Sequence, residues 1–185
     1  MHSRDPVIAS LHRLMAFAQW LRVRRMISEI ALEPKQTFWN MTANLLLDAA
    51  ILEWAKVFGS WDEDTHWTKV IPVAQHDATR AEMLQFLGLT PQEWEEQHAS
   101  LLNYRNQLVA HHDLDAAVTT VPYFDTALTA AFFMFDRIRA LADQDWLGNV
   151  PTDLDQWSNN VAGNMSAIVR KAHAASATLG SNVRS

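Results

Sequence analysis

The chain has 185 residues, of which 49% are hydrophobic and 19% charged, the composition of a globular protein and not of a disordered one. It holds no cysteine, which excludes disulfides, thiolate metal sites and cysteine nucleophiles. A formal net charge of −6 argues against charge-driven binding of nucleic acid over a broad basic face, but leaves room for a small basic cleft on an acidic body.

The opening residues lack the basic-then-apolar form of a secretory signal. The apolar run 126–135 is too short to cross a membrane and ends in Asp136 and Arg137. A soluble, cytoplasmic protein is expected, with one domain over 1–185. Only five glycines and six prolines punctuate the chain, which favours long helices over many short strands.

In chain order, Ile8, Leu11, Met15, Ala18, Leu21, Arg25 and Ile30 predict a first helix with a moderate apolar stripe, ended by Pro34. Within it, Arg22, Arg24 and Arg25 form the densest basic cluster, whose ordinary reading is a solvated helix face. A second helix over about 36–58 is apolar around most of its circumference and stops at Gly59, so it belongs at the centre of a bundle. The segment 60–77 is polar and irregular, with one short helical turn near Thr68. Asp77 is placed as the N-cap of a helix to Leu87, closed by Gly88. Thr90, Pro91 and Glu93 combine a capping box with proline at the first helical position, a strong start signal. Pro122 opens a phenylalanine-rich helix through Leu141. Pro151 and Thr152 precede the last helix, with Trp157, Val161, Met165, Ile168 and Ala172 on one stripe and a frayed tail over 177–185. An all-α antiparallel helical bundle follows: a four-helix core at about 37–141 with additional N- and C-terminal helices.

The helix opened by Thr90 carries a polar line with three readings: a half-solvated structural edge, a paired network inside the bundle or at a dimer seam, or the lining of a cleft where chemistry happens. Trp94, His98, Leu101, Arg105, Leu108 and His112 form one stripe, in which His98, Arg105 and His112 recur every seven residues. An arginine that holds charge on a phosphate and a histidine that moves a proton suffice to cleave RNA without a metal. If the helix runs unbroken, Arg105 and His112 share a face, whereas His111 joins them only at a kink or an early helix end. On the second helix Asn40, Asn44 and Asp48 step by four through apolar surroundings. Arg105 is the expected partner of Asp48, since a buried carboxylate needs a cation and a bidentate contact fixes the guanidinium plane. Solvent exposure of Asp48 is the alternative.

The string Tyr104, Arg105, Asn106, three further residues, then Ala110, His111, His112 and Asp113, late in a helix, resembles the HEPN superfamily (higher eukaryotes and prokaryotes nucleotide-binding). That family's signature is an arginine, a polar residue and a histidine after four to six intervening positions. His111 fits it with five and His112 with six. The phrase from Ile51 to Gly59, with His66 and Trp67 after it, is similar to bacterial members, and the resemblance spans about 37–141. It implies a helical bundle acting as a metal-independent ribonuclease in toxin–antitoxin, abortive-infection or other antiphage systems, and a homodimer whose two motifs meet in a composite cleft on single-stranded RNA. By the same resemblance Arg105 stabilises the transition state, His111 or His112 transfers the proton, and Asn106 orients the histidine or the phosphate. The family pattern favours His111, straight-helix geometry His112. His98, Asn44 and Asp48 are supporting residues, an antitoxin is a further implied partner, and no cofactor or metal is expected. Some members silenced by nucleotidylation carry a tyrosine two residues after the motif histidine. Here Asp113 and Leu114 stand there, which puts that control in doubt. Family members without nuclease activity act as dimerisation or nucleotide- and partner-binding modules, and that is the alternative function.

Other chemistries find less support. Glu-x-x-His occurs at Glu63 with His66 and at Glu95 with His98, but a di-metal carboxylate bundle needs both pairs on bundle helices. Neither a haem-attachment motif for His98 or His112, a hydrolase elbow nor a phosphate-binding glycine loop is present. Of the eight tryptophans, Trp39, Trp54 and Trp157 fall on apolar stripes and read as core. Trp61 and Trp67 lie in the irregular segment and are the better candidates for an exposed role, such as stacking on bases, the alternative being that they pin that segment to the bundle.

Overall fold

The computed structural model describes residues 5–31, 37–59, 61–106 and 122–181, with side chains as far as 176. Among these residues the chain is all-α: α1 (Pro6–Ile30), α2 (Thr37–Phe58), the short α3 (Trp67–Val70), a 3₁₀ turn at Val73–Gln75, α4 (His76–Leu87), α5 (Pro91–Tyr104), α6 (Asp125–Arg139), the short α7 (Gln144–Leu147) and α8 (Leu154–Ser181). No helix among them is long and apolar enough to cross a membrane.

The helix ends follow the sequence chemistry closely. Asp5 accepts the Val7 amide at 2.8 Å to cap α1, and Pro6 occupies the first helical position. The Thr90–Glu93 capping box of α5 forms in both directions. Gly88 closes α4 at φ 67°, a left-handed conformation that a side chain resists. Three boundaries differ from expectation. Asp77 lies inside the first turn of α4 rather than capping it, because the 3₁₀ turn feeds the helix directly through Gln75 and His76. Residues 122–124 are non-helical, so α6 starts at Asp125. The backbone of α8 continues to Ser181, beyond the expected fraying point.

The centre of the bundle is α1, not α2. It packs on α2, α6 and α8 and touches α3. Leu11, Leu14, Phe17 and Ala18 are fully buried, and Ser10 beside them shares its hydroxyl proton between the carbonyls of Pro6 (2.7 Å) and Thr65 (2.9 Å). The main core joins these residues to Leu47, Ile51 and Trp54 of α2 and to Ala131, Met134, Phe135 and Ile138 of α6. A second cluster gathers Val23, Met26, Ile27, Trp39, Ala43, Ala162 and Val169 near the far end of α1.

On α8 the buried face is offset from the predicted one. Leu154, Ser158, Ala162 and Val169 are buried, while Met165 is exposed and Ile168 keeps 70% of its surface in solvent. Small residues at 158 and 162 let α8 approach α1 closely, and fit outweighs hydrophobicity in choosing the face. The other apolar side of α2 is likewise uncovered: Phe38 is 67%, Met41 59%, Leu45 65% and Leu52 39% exposed.

Candidate functional site

Arg105 follows the last residue of α5. Its amide donates to the carbonyls of both Leu101 and Leu102, and Arg105 and Asn106 continue in a wider π-type turn. Such turns interrupt the regular side-chain phase of a helix and recur at functional sites. His111 and His112 lie outside the described residues. Arg105 is half-buried, and its Nε is buried without a hydrogen-bond partner among the described residues, while Asn106 is exposed.

Tyr104 and Asp48 complete this end of α5. The buried Tyr104, one residue before Arg105, donates its hydroxyl to Asp48 Oδ1 at 3.3 Å. The tyrosine hydroxyl satisfies one lone pair of that carboxylate. Burial, then the charge of Asp48 and this hydrogen bond, push the Tyr104 pKa up to about 12, against a smaller opposing pull from Arg24. Arg24 on α1 thus acts on the same corner, and its Nε is also buried without a hydrogen-bond partner among the described residues.

The arginine run of α1 is not a plain solvated face. Arg22 pairs with Asp155 of α8, and Arg25 with Asp125 of α6 at 2.6 Å. The Tyr123 hydroxyl also bonds Asp125, and together with Arg25 it holds that carboxyl below its ordinary range, against an upward push from burial that is the largest single influence. A recess of about 260 Å³ opens here, lined by Arg24, Arg25, Tyr123 and Asp125 among others. Two arginines clamp neighbouring helices, and no ion pair engages Arg24 among the described residues.

The remaining predicted residues separate from this corner. Asn40 and Asn44 are exposed on α2. His98 donates from Nε2 to the carbonyl of Phe58 at 2.7 Å, satisfying a carbonyl at the C-terminal end of α2. It lies seven residues before Arg105, about 10 Å along the helix axis. The close approach of α5 depends on Gly59, where a Cβ would stand 2.5 Å from Leu102 Cδ2.

No protein family, curated protein or solved structure matches this chain.

Site chemistry therefore rests on geometry. No group of three metal-ligating side chains occurs among the described residues, and the Glu-x-x-His residues His66 and His98 instead hold hydrogen bonds to Thr68 and Phe58. Of the tryptophans, Trp39 and Trp54 are core and Trp157 packs against it. Trp67, the first residue of α3, is buried in the main core with its ring against His76, as a residue that pins the segment to the bundle, and Trp61 alone of the pair is exposed. Sequence reasoning passed over Tyr104 and Arg24, although one adjoins Arg105 and the other lies in the arginine run. Nothing in their spacing says that α1 and α5 converge there.

Proposed function

We propose that the chain is a metal-independent endoribonuclease of the HEPN type, acting on single-stranded RNA in a toxin or antiphage defence setting in the cytoplasm. The observation that carries this reading is Arg105: a cation held half-buried at a π-type turn, with a buried Nε donor that no group among the described residues satisfies. Such a donor is costly unless a ligand acceptor meets it, and a phosphate oxygen is the acceptor best matched to a guanidinium. Arg24 beside Tyr104 adds a second positive charge, and the Tyr104–Asp48 contact braces the end of α5.

In this mechanism the ribose 2′-oxygen attacks the adjacent phosphorus as one histidine takes its proton. The bond to the 5′-oxygen breaks, and that oxygen receives a proton. The products are a 2′,3′-cyclic phosphate and a 5′-hydroxyl. Arg105 stabilises the extra charge on the equatorial oxygens as the transition state forms. His111 or His112 carries the proton, and Asn106, exposed beside Arg105, orients the histidine or the phosphate. Two copies of the chain meet so that their motifs share one cleft, and an antitoxin that covers the cleft belongs to the same proposal.

The uncovered stripe on α2 favours a second reading, a non-catalytic module that dimerises or binds a nucleotide or a partner. Cleavage of end-labelled single-stranded RNA in EDTA separates the two. Cyclic-phosphate products that fall at least a hundredfold with Arg105→Ala and with one of His111→Ala and His112→Ala are expected. Failure of the folded protein to cleave, or cleavage indifferent to all three substitutions, replaces the nuclease with the binding module.

A further inference from the structure

At the opposite end of α5, a cavity of about 230 Å³ opens between the loop after α2 and helices α4 and α5. Phe58, Trp61, Trp67 and Trp94 supply aromatic walls, and Arg80 and Glu95 are exposed at its edge. The polar groups beneath are occupied. His66 is buried and takes the Thr68 hydroxyl on Nδ1 at 2.7 Å, and burial keeps its pKa below the ordinary 6.5. His98 is engaged by Phe58. Both imidazoles hold the walls in place.

Trp61 is the unusual member. Its indole stacks on the His66 ring, with centroids 5.3 Å apart and planes 22° from parallel, yet the residue remains 70% exposed. An indole braced on one side and open elsewhere is a preformed stacking platform whose order costs a ligand nothing. The cavity is smaller than the roughly 300–1,000 Å³ that engulfs a drug-sized molecule, so it takes one ring system and leaves any appended group outside. Arg80 at the edge opposes an organic cation and favours an anionic substituent, while Glu95 accepts hydrogen bonds from ring or exocyclic N–H groups.

We propose that this pocket binds a nucleobase, stacked on Trp61, with its attached phosphate at Arg80. The base comes from a free nucleotide or from an RNA strand. The site is separate from Arg105 and stands whether or not the chain cleaves RNA.

Calorimetric titration of the full chain with adenosine, AMP, ribose 5-phosphate, choline and a hexa-adenylate tests this. AMP and hexa-adenylate are expected to bind saturably, and ribose 5-phosphate and choline not. Trp61→Ala weakens both by about fivefold or more, as loss of a base–aromatic stack requires, and Trp61→Phe restores most of it. Arg80→Ala weakens AMP severalfold and leaves adenosine unchanged. Both positions are exposed, so the variants fold. Tighter binding of hexa-adenylate than of AMP assigns the base to a strand, and the reverse order assigns it to a free nucleotide. Absence of saturable binding by all adenine ligands, binding indifferent to Trp61→Ala, or binding of choline instead overturns the proposal. Arg105→Ala is expected to bind AMP normally. Intact binding without any RNA cleavage would therefore remove the nuclease reading and leave this one standing.

Discussion

A phenol and a carboxylate meet at the end of α5, where Tyr104 donates to Asp48. Tyr104 is raised to about 12 by burial first and by Asp48 second, and at neutral pH it is a protonated donor whose partner is a carboxylate oxygen. The sign of the linkage is fixed by that shift. A folded pKa above the unfolded value near 10 contributes stability fully present below pH 10 and lost as pH rises through about 12. Absorbance titration of the folded protein should therefore show no tyrosinate from Tyr104 until well above pH 10. Tyr123, raised by its hydrogen bond to Asp125, is the only other tyrosine. Asp48→Asn should bring Tyr104 down part of the way and no further, because burial remains. If Tyr104 ionises near its ordinary value in the native protein, the brace on α5 is not formed.

Between elements, the least expected device is Glu53. The sequence places it on an apolar helix, where a buried carboxylate is costly unless paired. It is buried, and accepts from Arg13 of α1 at 2.9 Å and from Lys56 at 2.7 Å. The carboxylate thus ties α2 to the central helix and is satisfied from both sides. Glu53→Ala leaves two cations facing a void. Hydrogen bonds to charged groups are worth about 1.5–3 kcal/mol, and Arg13 is partly solvated, so a loss of about 2 kcal/mol is expected. A fall in Tm of roughly 4–8 °C for a chain of this size follows. An unchanged thermal midpoint by circular dichroism would show the pair to be idle. Helix starts and stops were legible because caps are local: Thr90, Glu93 and Gly88 each act within one turn. The choice of buried face on α8 was not, since Ile168 is more hydrophobic than Ser158 and only the shape of α1 decides between them.

Across the whole molecule, composition and periodicity sufficed for an all-α bundle, but not for which helix stands at its centre. The apolar circumference of α2 pointed to the interior, and the weaker stripe of α1 did not. The conflict resolves if α2 has two apolar faces with different partners. Trp39, Leu47, Ile51 and Trp54 are buried within the chain, while Phe38, Met41, Leu45 and Leu52 lie on the other side at spacings of three, four and seven. Asp48 falls on the edge of that second stripe, so the uncovered surface leads to Tyr104 and the end of α5. A second copy seated on this stripe would bring its own Arg105 corner towards the first, as a composite cleft requires. Leu45→Arg tests the arrangement in an exposed position where the protomer fold is not at stake. Burying a leucine at an interface is worth about 1.5–3 kcal/mol, so the dimer dissociation constant measured by sedimentation should rise at least tenfold. Ribonuclease activity should fall in proportion to the remaining dimer and recover at high protein concentration. A wild-type chain that sediments as a monomer while cleaving RNA, or a Leu45→Arg dimer of unchanged strength, would confine the site to one protomer and leave the α2 stripe to another partner.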